Sequence, residues 1–216
     1  MKWLKGIQKA MGALILPELC RCAVCGEERE MVEQTGFCRQ CWEALPHNPE
    51  PVGMKASLIT VSPFLYEGEI ETLIKGLKFH NKRYAAEALG HVMAQACLQA
   101  GIGADLLVPV PLYKTRYKNR GYNQSALLAQ SMAELMNVPV REECLLRVRN
   151  TEQQAMLDAL QRRANVYGAF EAPMDLTEKT VCLVDDVATT GSTLRACADA
   201  LEAKGAAVWV CTACSA

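Results

Sequence analysis

The chain has 216 residues, enough for one ordinary domain with a small appendage. Half of its residues are hydrophobic, which sets aside a disordered chain; 23 Lys and Arg against 24 Asp and Glu leave a net charge of −1, so no global basicity marks a nucleic-acid binder. Eleven cysteines, an odd number with no secretory signal ahead of them, argue against a disulfide scaffold and for a reducing, cytoplasmic compartment.

In chain order, Met1–Leu16 carries an apolar stripe (Trp3, Leu4, Ile7, Met11, Leu14, Ile15) interrupted by Lys5 and Lys9. It is too short for a membrane span and reads as a packing helix. Next come Cys22-x-x-Cys25 and Cys38-x-x-Cys41, with Gly26 and Gly36 easing tight turns. Two such knuckles suit one tetrahedral Zn²⁺, and four thiolates leave no open position, so the metal is expected to be structural. Cys20 can replace Cys22 as a ligand only with poorer knuckle spacing. The segment 1–45 is therefore expected to be a zinc module with a leading helix.

Pro46, Pro49 and Pro51 mark 46–56 as a linker, and 57–216 as an α/β domain. Strands are expected over Leu58–Tyr66 and Leu106–Val110, and helices over Glu69–Phe79, Tyr84–Gln99 and Gln124–Met136. Strands alternating with helices imply a mostly parallel sheet. Gly101-x-Gly103 opens no helix with a third glycine, so no dinucleotide fingerprint is supported.

The richest stretch is Val181–Thr193, VCLVDDVATTGST. Val181–Val184 is apolar enough for a strand buried on both faces. Ser192 or Thr193 can N-cap a helix carrying Leu194, Cys197, Ala198 and Leu201, which Gly205 stops. Ala206–Cys211 resumes as a strand. A loop of small residues at the carboxyl edge of such a sheet suits a phosphate, and Asp185 and Asp186 offer acceptors to neighbouring hydroxyls. A phosphate beside a vicinal diol describes a ribose 5-phosphate.

This pattern resembles the phosphoribosyl diphosphate (PRPP) signature of type I phosphoribosyltransferases. The resemblance implies that Asp185 and Asp186 contact the ribose hydroxyls and that Ala188, Thr189, Thr190, Gly191, Ser192 and Thr193 wrap the 5-phosphate. Two further blocks, LVPVPLYKTRYKNRGYNQ (107–124) and LRVRNTEQQAMLDALQRRANVYGAF (146–170), with the paired CxxC motifs, resemble the competence-associated ComF family. Arg116, Arg120, Gly121, Asn123 and Gln124 then fall where this superfamily holds diphosphate. Arg149, Thr151, Gln154, Arg162 and Asn165 fall in its mobile loop, where Met156, Leu157 and Leu160 also have helical packing spacing.

The implied activity is Mg²⁺-dependent transfer at the ribose anomeric carbon to an unidentified acceptor. The alternative is a PRPP-responsive accessory protein that binds single-stranded DNA beside the competence machinery. In that reading Trp42, Tyr113, Tyr117 and Tyr122 join clusters of Lys and Arg in a strand-tracking groove.

Overall fold

The computed structural model describes residues 20–150, 166 and 168–216. The Met1–Leu16 stripe and Thr151, Gln154, Arg162 and Asn165 lie outside them. In the described residues β1 (Cys20–Arg21) and β2 (Glu28–Arg29) form a short antiparallel pair, followed by α1 (Arg39–Ala44). Then come β3 (Val52–Lys55), β4 (Leu58–Val61), β5 (Phe64–Leu65), α2 (Gly68–Phe79), α3 (Tyr84–Gln99) and β6 (Leu106–Pro109). The chain continues through α4 (Lys114–Arg120), α5 (Gln124–Met136), β7 (Leu146–Arg147), β8 (Phe170–Glu171), β9 (Thr180–Ala188), α6 (Ser192–Glu202) and β10 (Ala207–Ser215).

Six strands make the main sheet, ordered β3-β4-β10-β9-β6 with β5 also pairing β10. All of its pairs are parallel except β3 with β4. Strand periodicity divides the core between its two faces. Cys182 and Val184 point into a cluster with α2, α3 and α5, while Val181 and Leu183 point into one with α6, Leu145 and Phe170. The fold is a three-layer α/β arrangement, as the alternation implies.

Several boundaries depart from expectation for physical reasons. The Leu58–Tyr66 strand is broken at Ser62–Pro63, because proline has no N–H for a ladder. The expected linker 46–56 contains β3, the antiparallel edge strand, so its last third is part of the sheet. Residues 114–120, expected as loop, form α4. β9 runs past Val184 through both aspartates, because β10 keeps pairing with it as far as Ser215 opposite Ala188. The cap of α6 is neither Ser192 nor Thr193 but Gly191, with φ +76°, a conformation that favours glycine.

Candidate functional site

The carboxyl ends of β6 and β9 open into a cleft of about 770 Å³. It is lined by Asp185 and Asp186, by Thr189–Thr193, and by Arg116, Arg120 and Gln124 from α4 and α5. Two sequence blocks more than sixty residues apart thus line one space. The strand ends bring them together: β6 and β9 are adjacent and parallel, so the loops leaving them emerge at the same edge.

The two carboxylates are held differently. Asp185 Oδ1 accepts from Ser125 Oγ at 2.8 Å and from the Asp186 amide at 2.9 Å. Asp186 is buried, and its Oδ2 lies 2.8 Å from Lys78 Nζ. Burial first, then the neighbouring Asp186 charge, pushes the Asp185 carboxyl up to about 7. Burial opposes the Lys78 charge, but Asp186 outweighs it, and the ammonium titrates above its ordinary value.

Lys78 reads in the sequence as one of a basic cluster with Lys75, Lys82 and Arg83, either a solvated face or a surface facing phosphates, and a sharper signal exists. It falls four residues after Ile74, on the stripe formed by Ile70, Leu73, Ile74 and Leu77, all buried. A charge on an otherwise buried helix face needs a partner, and Asp186 is that partner. Arg147, from β7, also lines the cleft, with its guanidinium 5.3 Å from the Phe170 ring centroid. Four cationic side chains and two carboxylates therefore face the same space, an environment suited to an anion bearing hydroxyls.

The remaining expected residues divide. Arg120 donates to Gln124, lies 5.7 Å from the Phe79 ring centroid, and has its pKa lowered by burial. Asn123 is buried and caps α5: its side chain accepts from the Ser125 amide and donates to the Val110 carbonyl at 3.0 Å. Gly121 ends α4 in the left-handed conformation, φ +80°. Neither Asn123 nor Gly121 is among the residues lining the cleft. Ala188 is buried, and its carbonyl accepts from Lys55 Nζ at 3.0 Å, so it anchors the loop rather than lining it. Arg149 is exposed and outside the cleft lining.

The aromatic groove is corrected. Trp42 packs with Phe37 and Phe64, and Tyr122 is buried with its hydroxyl on the Leu77 carbonyl. Tyr117 is exposed, as are Phe79 and Tyr84, which sequence reasoning passed over.

Away from the cleft, the Sγ atoms of Cys22, Cys25, Cys38 and Cys41 lie within 4.8 Å of one another. Cys25 and Cys38 sulfurs are 4.0 Å apart, close to the edge of a tetrahedron with ~2.3 Å metal–sulfur bonds. Burial raises the Cys22 thiol, but the Cys38, Cys25 and Val24 amides outweigh it and bring it down to about 7. This donor set could hold a metal ion. Cys20 pairs through its backbone with Arg29; its side chain lies outside the described residues.

Residues 123–216 match the model of the phosphoribosyl transferase domain. DNA utilization protein YhgH of Salmonella typhimurium is 32% identical over 203 residues, covering 87% of this chain and 88% of that protein. Competence protein F of Haemophilus influenzae is 33% identical over 181 residues, covering 80% and 74%. The chain belongs to the ComF family. Competence protein ComFC of Bacillus subtilis matches over a shorter span, 35% identical across 106 residues, covering 49% of this chain and 41% of that one. As a ComF protein, the chain joins a phosphoribosyltransferase-type sheet to a four-cysteine cluster. No helix among the described residues is long and apolar enough to cross a membrane.

Proposed function

We propose that this ComF protein binds PRPP in the cleft and transfers its phosphoribosyl group. The Thr189–Thr193 loop takes the 5-phosphate on backbone amides and hydroxyls, and Asp185 and Asp186 accept from the ribose diol. Arg116 and Arg120, with Gln124, face the diphosphate. In the transfer a bond forms between an acceptor nitrogen and the anomeric carbon. The bond from that carbon to the diphosphate oxygen breaks, its electron pair leaves with diphosphate, and the acceptor's proton passes to water. The chain contributes orientation, charge neutralisation and a walled cleft.

Mg²⁺ would add neutralisation of the diphosphate. Asp185 Oδ1 is engaged by Ser125 and Asp186 Oδ2 by Lys78, so few protein oxygens remain for it, and it fits as an ion carried mainly by the diphosphate and water. The observation that carries the reading is the meeting of the Asp185–Asp186 strand end and the Arg116–Gln124 block in one cleft.

Calorimetry tests it. Replacing Asp185 and Asp186 by Ala should weaken PRPP by about 1.5–3 kcal/mol per lost charged hydrogen bond. Arg116→Ala and Arg120→Ala should weaken PRPP far more than ribose 5-phosphate, which lacks diphosphate. Unchanged PRPP affinity in the aspartate variant, or equal losses for both ligands in the arginine variants, would refute the respective assignment. Diphosphate release from PRPP, Mg²⁺ and a metabolite pool tests turnover.

A second reading has its own support: exposed Phe79, Tyr84 and Tyr117 stand among Lys82, Arg83, Lys114 and Lys118. In that reading the protein tracks single-stranded DNA, working with competence-machinery proteins in the cytoplasm. Steeply salt-dependent binding of oligo-dT would support it, and its absence at low salt would remove it. In both readings the Cys22, Cys25, Cys38 and Cys41 thiolates hold a structural zinc.

A further inference from the structure

The two edges of the main sheet are treated differently. At one, residues 139–141 cover Leu107 of β6: its amide donates to the Pro139 carbonyl at 3.0 Å and its carbonyl accepts from the Arg141 amide at 2.9 Å. The other edge is β3, and it is open. The Ser62 amide donates to the Pro51 carbonyl at 2.7 Å, which fixes Gly53 with Thr60, and Lys55 with Leu58, as the hydrogen-bonded rungs of the β3–β4 hairpin. The N–H and C=O groups of Val52 and Met54 therefore point away from β4, and no backbone group among the described residues pairs with them.

Open edges are ordinarily blunted by charge, proline or a bulge. Here Pro51 stands just before the strand, and Val52, Gly53 and Met54 carry no charge. Val52, Met54 and Ile59 share one face of the hairpin and are all exposed, Met54 to 69%. A Cβ on Gly53 would meet nothing within 4 Å, and its φ is not left-handed. Its own chain gives no reason for a glycine there, and a glycine inside a strand often marks the close approach of another backbone.

The outward groups are complementary to themselves. In antiparallel pairing about a two-fold axis through Gly53, Val52 stands opposite the second copy's Met54, and each such pair exchanges both of its N–H···O bonds. An apolar row then runs across the copies, from Ile59 and Met54 of one to Val52 and Val61 of the other. Lys55 falls opposite the second copy's Pro51, beside its Glu50, so each end of the ladder sets an ammonium near a carboxylate. A copy paired parallel and in register would set like charges together.

We propose that β3 is a self-association edge, and that its partner is a second copy of this chain, joined antiparallel so that the two sheets run on continuously. The contact is small beside that of an obligate dimer, so its dissociation constant is expected in the micromolar range, on the order of 10 µM.

Sedimentation velocity on the full chain over a concentration series tests it, and the native chain should pass from monomer to dimer across the micromolar range. Met54→Pro deletes an outward N–H that the hairpin does not use, and should raise the dissociation constant at least about tenfold. Met54→Lys keeps that N–H but puts charge into the apolar row, and should act in the same direction without disturbing the fold. In the native chain, exchange of the Val52 amide hydrogen should slow as concentration rises; in Met54→Lys it should not. A native chain that stays monomeric throughout would overturn the proposal. So would a dimer untouched by Met54→Lys, which would place the interface elsewhere. A monomer whose Val52 and Met54 amides are already protected at the lowest concentration would also overturn it, and would assign the edge to another segment of the same chain.

Discussion

The cysteine segment and the cleft are two polar sites built in opposite ways. Around the cysteines the elements are minimal: two-residue strands and one six-residue helix with no buried residue. Such pieces have little core of their own, so order there is expected to come from a bound metal and from neighbours. The neighbours are visible: Phe37, Ala23 and Leu45 join the core formed by α2, α3 and α5. Gly36, at φ +71°, presses so close that an added Cβ would stand 2.8 Å from Ala88 Cβ. The cleft instead grows out of two nine-residue strands paired along their length. One site offers a donor set that could hold a metal ion and is expected to depend on it; the other is preorganised by the sheet beneath it.

The largest effect should come from the dependent site. Replacing Cys25 and Cys41 by Ser should take zinc from about one per chain to none by metal analysis. Because Phe37 is shared with the main core, the sheet should persist with reduced stability. The expected drop in urea unfolding is on the order of 3–5 kcal/mol, the cost of losing a buried phenylalanine's packing. Retained stoichiometric zinc would break the comparison.

Next should come the ion pair beneath the cleft. Lys78→Met leaves the Asp186 carboxylate buried without its counter-ion. A fully buried pair broken this way costs about 3–5 kcal/mol, and the partly exposed ammonium reduces that to roughly 2–3 kcal/mol. Lys78→Arg should recover most of it. A neutral result in denaturant would mean that the cleft floor is wet enough to hold Asp186 without help.

A smaller change is expected at the loop. Gly191→Ala imposes a side chain at φ +76° and sets its Cβ 2.8 Å from Ala56 Cβ in the β3–β4 turn. A cost of about 1–2 kcal/mol should appear together with weaker ribose 5-phosphate binding, because the turn and the loop must separate. Loss of stability without loss of binding would separate the turn from the site.

The sequence was most legible where periodicity and spacing were strong. The limits of α3 and α5, the knuckle spacing and the Asp-Asp pair after an apolar run could all be read directly, because each rests on local chemistry. Contacts between distant segments could not. Nothing around Lys55 announces that its ammonium would reach the Ala188 and Ala216 carbonyls. Asn123 read as a diphosphate ligand because it falls in the RGYNQ block of the family resemblance, yet capping α5 uses its side chain. Phe79 and Lys78 read as the end of an amphipathic helix; only the fold puts one beside Arg120 and the other on Asp186.

The subtlest test concerns the ionisation of Asp185. Its carboxyl is raised to about 7 by burial and then by Asp186, against opposing help from Lys78 and Ser125. The unfolded chain releases that proton near pH 3.9, so the native state binds more protons between about pH 4 and 7. This group's contribution to stability therefore declines as pH rises through that window. Binding should run the other way, because an ionised Asp185 is the better acceptor for a ribose hydroxyl. Ribose 5-phosphate affinity should rise as pH passes about 7, separately from the phosphate's own ionisation near pH 6. Asp185→Asn should remove the step near 7 and keep the one near 6. Ser125→Ala, which takes away a donor to the charged form, should move the upper step to higher pH. A calorimetric profile identical in Asp185→Asn and the native chain would show that this carboxylate does not meet the sugar.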